Sequence, residues 1–279
     1  MDQLALANVL KKINELPSLP VVTNRVIEMT DNLEVPAQKV CEVISRDQVL
    51  TSKILKLVNS AYYGLPRRIS TLTEAVTILG METIRTLAIG ISAFRAFGQG
   101  AGVKGLSAVK VLQHSVACAT AAKIIARKTG FPMTEQAFLA GLLHDIGKLV
   151  MMNFLKDEYT MVVEKTNTEE INLIRAETEV LGIDHAQLGK MLAEKWNLPD
   201  ILKEPIAGHH KPKPDSEHLM ITQIVHLANA VAVSAGYGLG NERDYFLDLS
   251  SLQDVGLSFD TLMTLIPEIR GQIPSDILR

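Results

Sequence analysis

Gly141-Leu142-Leu143-His144-Asp145-Ile146-Gly147-Lys148 sets an imidazole, a carboxylate and an ammonium directly behind an apolar run, Ala137 to Leu143. Charge in such a place is costly unless it is paired or metal-bound. Other imidazoles stand where helices are predicted: His114 lies on one helix, His185 starts a second, and His209 and His210 end a third. Imidazoles with a carboxylate suit Fe, Mn, Ni or Zn, as one or two ions, and an open coordination position activates water. Neighbours on a helix diverge by about 100°. The His209-His210 pair therefore serves one ion only at a helix end, or serves two.

The same residues have a plainer reading. His114, His144 and Asp145 form a buried hydrogen-bonded cluster, with Lys148 one turn on as an ion-pair partner. His185 and His210 then cap helix ends, and His209 faces solvent. His218 and His226 read as structural, Met151 and Met152 as core residues.

The elements that must position these groups read as helices. After the turn-forming Leu16-Pro17-Ser18-Leu19-Pro20, helices are predicted past Val22, from Pro36 to about Ser45, and from an Asp47 cap onward. The last carries the stripe Leu50, Ile54, Leu57 and Val58 and stops at Gly64 and Pro66. Thr71 to Glu74 has the spacing of a capping box opening a helix to Gly80, and another runs from Met81 to Phe97. No strand-period segment interrupts this half.

The glycine-dense stretch from Phe97 to Gly105 marks a subdomain junction, because it lacks the G-K-[S/T] ending of a phosphate loop. Beyond it come a helix from Leu106 to Lys128 and a Thr134-capped helix into His144. Asp184 caps a helix from His185 to Trp196, Pro199 opens one to His209-His210, and Ser216 begins a long helix through Ala235. One amphipathic segment, Phe259 to Ile269, lies in the tail.

Composition sets the bounds. A chain of 279 residues, 47% apolar and 21% charged, describes a globular protein with room for a sizeable core. Its net charge of -3 gives no global attraction to nucleic acid or an anionic membrane. The local basic set Lys53, Lys56, Arg67 and Arg68 reads as a solvated face. Cys41 and Cys118 form no C-x-x-C pair, and residues 1 to 10 lack the order of a signal peptide, so a cytoplasmic location is expected. Leu219 to Ala235, with Gln223, His226 and Asn229 inside it, reads as a buried helix rather than a membrane span.

In this order the motifs resemble the HD superfamily of metal-dependent phosphohydrolases: His114, then L-L-H-D-I-G-K, then His185 in D-H-A-Q-L-G, then His209-His210 before K-P. L-P-S-L-P at 16 to 20, the stretch from Asp47 to Gly64 with Asn59-Ser60-Ala61, and A-V-T-I-L-G from Ala75 resemble its HDOD branch. The resemblance implies an all-α fold over 1–279: an N-terminal helical bundle (1–97), an HD-like helical subdomain (106–235) and a C-terminal extension (236–279). Residue by residue it implies metal ligands at His114, His144, Asp145, His185, His209 and His210, and a catalytic lysine at Lys148 beside Asp145.

Two departures stand out. The closing aspartate falls at Asn229, which offers a carbonyl oxygen without charge. The G-Y-P element after the double histidine is replaced by K-P-K-P, which argues against cyclic di-GMP hydrolysis. The expectation is a bacterial signal-transduction or regulatory module with a divalent-metal site, a protein partner and no robust catalysis. The alternative is a phosphohydrolase acting on a nucleotide or other phosphoester. Nucleic acid and membrane are not expected as partners.

Overall fold

The computed structural model describes residues 16–30, 34–59, 63–97, 102–239 and 247–272. They form two compact units, one built from Ser18–Ala96 and one from Phe97–Gly271 with Leu16 and Pro17. Both are helical, as the sequence pattern predicts.

The smaller unit contains α1 (Val21–Thr30), α2 (Ala37–Ser45), α3 (Gln48–Val58), α4 (Leu72–Leu79) and α5 (Met81–Ala96). Asp47 caps α3, accepting from the Leu50 amide at 2.9 Å while also accepting from Arg95 Nη1 at 2.7 Å. Thr71 caps α4 through the Glu74 amide, but the Glu74 carboxylate returns to the amide of Ser70 rather than Thr71, so the expected box closes one residue early. Val26, Ile44, Leu50, Ile54, Ile69 and Ile84 are buried together, each contributing roughly 1.5–3 kcal/mol of transfer free energy.

Asn59 gives a physical role to one motif residue. Its amide donates to the carbonyls of Leu55 and Ile69 and accepts from the Ile69 amide, pinning the returning segment to the end of α3. Its neighbours Ser60 and Ala61 lie outside the described residues, as do positions 98–101 of the glycine-dense stretch. In the basic set, Arg67 is 69% exposed and pairs with Glu74, and Lys56 and Arg68 are exposed.

The larger unit opens with a two-stranded antiparallel ladder, β1 (Gly102–Val103) against β2 (Leu106–Ser107). This corrects the expected helix start at Leu106. The ladder takes up Leu106 and Ser107, and the Ser107 hydroxyl caps α6 (Ala108–Lys128) at the Lys110 amide. Then come α7 (Thr134–Leu143), α8 (Ile146–Phe154), α9 (Lys156–Thr168), α10 (Leu173–Leu181), α11 (His185–Lys195) and α12 (Asp200–Gly208). The helices α8 to α10 are not announced by the sequence pattern.

Asp184 caps α11 as expected, at the Gln187 amide. Thr134 does not cap α7: it lies inside the helix, and Met133 before it makes no side-chain cap. The long helix α13 (Leu219–Ala232) starts three residues after Ser216, whose hydroxyl bonds Glu204 and the His218 amide and holds the chain in a turn. Beyond it the chain kinks at Gly236, whose φ of 93° is left-handed. The tail forms α14 (Leu249–Val255), α15 (Phe259–Met263) and α16 (Leu265–Gln272), so the expected single segment is split at Thr264.

Two stretches, Thr134–Phe154 and Leu219–Tyr237, have the length and apolar content of a membrane span, yet 89% and 67% of their spanning windows are buried inside the fold. They are core. Small residues let the central helices touch: a Cβ on Gly141 would lie 2.9 Å from the Ala119 Cα. Gly147, at the start of α8, approaches α11 so closely that an added Cβ would fall on the His185 carbonyl oxygen. Gly147→Ala is therefore expected to force α8 from α11 and cost about 3 kcal/mol, the upper end for overpacking. Urea unfolding measures this, and a loss under about 0.5 kcal/mol would remove the argument that this contact sets the spacing of the site.

Candidate metal centre

The α7–α8 turn is where the charged motif emerges, and three other chain segments bring imidazoles to it. His144 and Asp145 occupy the turn itself, His114 comes from the middle of α6, His185 from the first residue of α11, and His209 and His210 from the turn after α12. Asp145, His144 and His209 are 0% exposed, and His114 and His185 are 1% exposed. The solvent-facing reading of His209 is thereby corrected: its ring is packed 4.8 Å, centroid to centroid, from that of His144.

The donor atoms converge on one carboxylate. Asp145 Oδ2 lies 3.5 Å from both His114 Nε2 and His144 Nε2, which are 3.3 Å apart. Asp145 Oδ1 lies 3.3 Å from His185 Nε2 and 3.7 Å from His209 Nε2, and His185 Nε2 is 2.9 Å from His210 Nε2. Two donor sets thus share Asp145: one with His114 and His144, one with His185, His209 and His210.

The far side of each ring explains why the Nε2 atoms face inward. His114 Nδ1 meets the Tyr237 carbonyl at 3.0 Å, His144 Nδ1 that of Gly141 at 2.7 Å, and His209 Nδ1 that of Ile206 at 3.0 Å. A carbonyl only accepts, so each Nδ1 carries a proton, and a neutral ring so bonded presents an Nε2 lone pair. This is the orientation a metal ligand needs. Among the described residues, the buried Asp145 Oδ1 and His209 Nε2 meet no hydrogen-bond partner, nor does Asn229 Oδ1 on α13. Orphaned buried acceptors call for a cation or a donor. The residues present fit a divalent metal.

A sequence model of the HDOD domain matches residues 16–212. The chain belongs to the HDOD family. An HDOD domain protein of unknown function from Geobacter sulfurreducens shares its fold with a TM-score of 0.81 and 26% identity, over 99% of this chain and 95% of that one. A candidate phosphohydrolase from Shewanella amazonensis matches with a TM-score of 0.77 and 26% identity, over 95% of each chain. Ribonuclease Y from Thermus thermophilus is 30% identical over 155 residues, covering 55% of this chain and 22% of the ribonuclease. The HDOD chain spans less than half the length of the curated relatives it matches.

Sequence reasoning missed one residue that matters to this HDOD centre. Glu177, on α10 and fully buried, accepts from His185 Nδ1 at 2.7 Å, from the His185 amide at 2.9 Å and from the Tyr159 hydroxyl at 2.9 Å. A signal existed. Glu177 stands on the apolar stripe Leu173, Ala176 and Leu181, where a carboxylate is out of place unless it has buried partners. His226, by contrast, donates from Nδ1 to the His209 carbonyl and accepts at Nε2 from the Asp248 amide, a structural role.

Electrostatics separate the rings. Burial pushes His144 down to about 3 and drives His209 and His210 well below the usual histidine range, where neighbouring imidazoles hold them, so all three are neutral near pH 7. Burial pulls hardest on His185, but the Glu177 and Asp145 carboxylates together outweigh it and raise the ring to about 9. Asp145 resists burial because His144 and Lys148 favour its ionised form, and it stays well below the carboxylate range. Lys148, 5% exposed, donates from Nζ to Asp145 Oδ2 at 2.7 Å.

Proposed function

We propose that this HDOD chain is a regulatory module of a bacterial signalling pathway, built around a metal-holding HD-type centre, and that it engages a protein partner rather than turning over a phosphoester robustly. The observation that carries this is the state of the two residues hydrolysis would rely on. Lys148, the group expected to steady a phosphate, is buried and spent on Asp145. The position expected to bring a second acid holds Asn229, which adds no charge to a set otherwise made of imidazoles and one carboxylate. A divalent ion there would supply Lewis acidity and activated water. With that lysine withdrawn, the protein's own residues are arranged to hold the ion rather than to bind phosphate.

The convergence of six ligand-type residues, together with the likeness to a candidate phosphohydrolase and to part of a ribonuclease, favours a second reading: hydrolysis of a nucleotide or another phosphoester. The two are separated by loading the purified protein with Mn, Fe, Ni or Zn and assaying a panel of nucleotides, dinucleotides and aryl phosphates. The regulatory reading expects a metal-loaded protein whose turnover does not exceed that of His144→Ala. Metal-dependent turnover that disappears in His144→Ala would sink it.

A further inference from the structure

We propose that the HDOD centre is mononuclear, with its one divalent cation held by Asp145 Oδ1, His185, His209 and His210, and with the Lys148 ammonium standing in for a second ion on the opposite side of Asp145. The inference rests on the metal-holding reading above and specifies which half of the donor cluster does the holding.

Shape does not separate the halves. In a tetrahedral site with bonds of about 2.0–2.1 Å the ligand atoms stand about 3.3 Å apart. The His114, His144 and Oδ2 triangle, with edges of 3.3, 3.5 and 3.5 Å, meets that as well as the 3.3 and 3.7 Å separations from Oδ1 to His185 and His209.

Donor number and charge do separate them. The His185 half offers four donors and the His114 half three. Two of the orphaned buried atoms, Asp145 Oδ1 and His209 Nε2, belong to the His185 half. In the His114 half Oδ2 has Lys148 at 2.7 Å, while the unprotonated Nε2 atoms of His114 and His144 face each other at 3.3 Å; in the other half His185 and His210 Nε2 stand 2.9 Å apart. The third orphan, Asn229 Oδ1, is a neutral carbonyl oxygen and leaves the charge balance unchanged. A cation binding at Oδ2 must displace, or sit beside, an ammonium that contacts the same oxygen, a like-charge pairing in a buried site.

The supporting residues point the same way. Behind the His185 half lies the carboxylate of Glu177, hydrogen-bonded to His185 Nδ1, the carboxylate–histidine arrangement that strengthens a ligand. Behind the other half lie the carbonyls of Tyr237 and Gly141. Two carboxylates thus face the His185 half from its two sides, while the His114 half has an ammonium.

The test is a titration of the metal-free full chain with Zn²⁺ by calorimetry and with Co²⁺ by visible absorption, in parallel with thermal unfolding. The expected result is one equivalent in the parent chain and one in His114→Gln. His185→Gln is expected to lose more than the roughly 100-fold in affinity that marks the upper range for a supporting residue. Glu177→Gln, which keeps the shape of the buried side chain, is the milder variant and is expected to bind about 10- to 100-fold more weakly while still unfolding cooperatively. Two equivalents in the parent chain overturn the proposal, as do an unchanged affinity in Glu177→Gln and loss of metal in His114→Gln with retention in His185→Gln. Absence of binding overturns it too. None of these outcomes decides between regulation and hydrolysis, which the phosphoester assays judge separately.

Discussion

Replacing Asp145 with alanine is expected to destabilise the metal-free protein by about 3–5 kcal/mol, the cost of leaving one member of a buried ion pair without its partner. Asp145 is fully buried and Lys148 is 5% exposed, so the ammonium has no short route to water. The same substitution removes the carboxylate common to both donor sets, and metal uptake is expected to fall below detection.

Urea unfolding in chelator, followed by Trp196 fluorescence, measures the first effect. Trp196 is the only tryptophan, is buried, and lies in the same unit as the centre, with its indole donating to the Pro17 carbonyl at 2.9 Å. A second variant isolates the electrostatic cause. Asp145→Ala with Lys148→Met removes both charges, and replacing a buried pair by apolar groups is often close to neutral. The double variant should therefore recover most of the loss. If Asp145→Ala alone costs under about 1 kcal/mol, Lys148 is reaching solvent and the carboxylate is not the electrostatic centre of the cluster.

The second large effect is acid sensitivity of the metal-free state. His144, His209, His210 and His226 all have folded-state affinities for protons below that of a free histidine, because burial disfavours the charged ring. Below pH 6.5 the unfolded chain takes up protons that the folded chain refuses, so stability falls as pH falls. For His144, lowered to about 3, the passage from pH 6.5 to 5 costs about 2 kcal/mol at 1.36 kcal/mol per unit. The other three rings act in the same direction.

His185 works oppositely. Raised to about 9, it contributes stability that is fully present below 6.5 and lost as pH rises through about 9. Stability of the metal-free protein should peak near neutrality and drop on both sides. Unfolding midpoints across pH 5 to 10 check this, with His144→Gln expected to flatten the acid limb. A midpoint that does not move between pH 7 and 5 would contradict the burial assigned to these rings.

Local signals carried the helical architecture. Asp47, Thr71 and Asp184 cap where their spacing predicts, because an N-cap needs only a side-chain oxygen two or three residues ahead of free amides. Helix starts failed where a distant or non-helical partner took the residue. Ser107 is drawn into a strand pair, and Ser216 is held by Glu204 from the preceding helix. Neither competitor is visible in a local window.

By itself the sequence determined the all-α class, the family, and the residue types able to meet at a centre, since the motif order and apolar spacing are properties of the chain alone. Only the tertiary structure decided which oxygen of Asp145 each histidine faces and that Glu177 stands behind His185, whereas the ion pair of Lys148 was legible from its place one turn on. The reason is geometric. The two tertiary relations join residues 8 and 40 positions apart between different helices, and such meetings depend on close approaches such as Gly147 against the His185 carbonyl, which no spacing rule encodes.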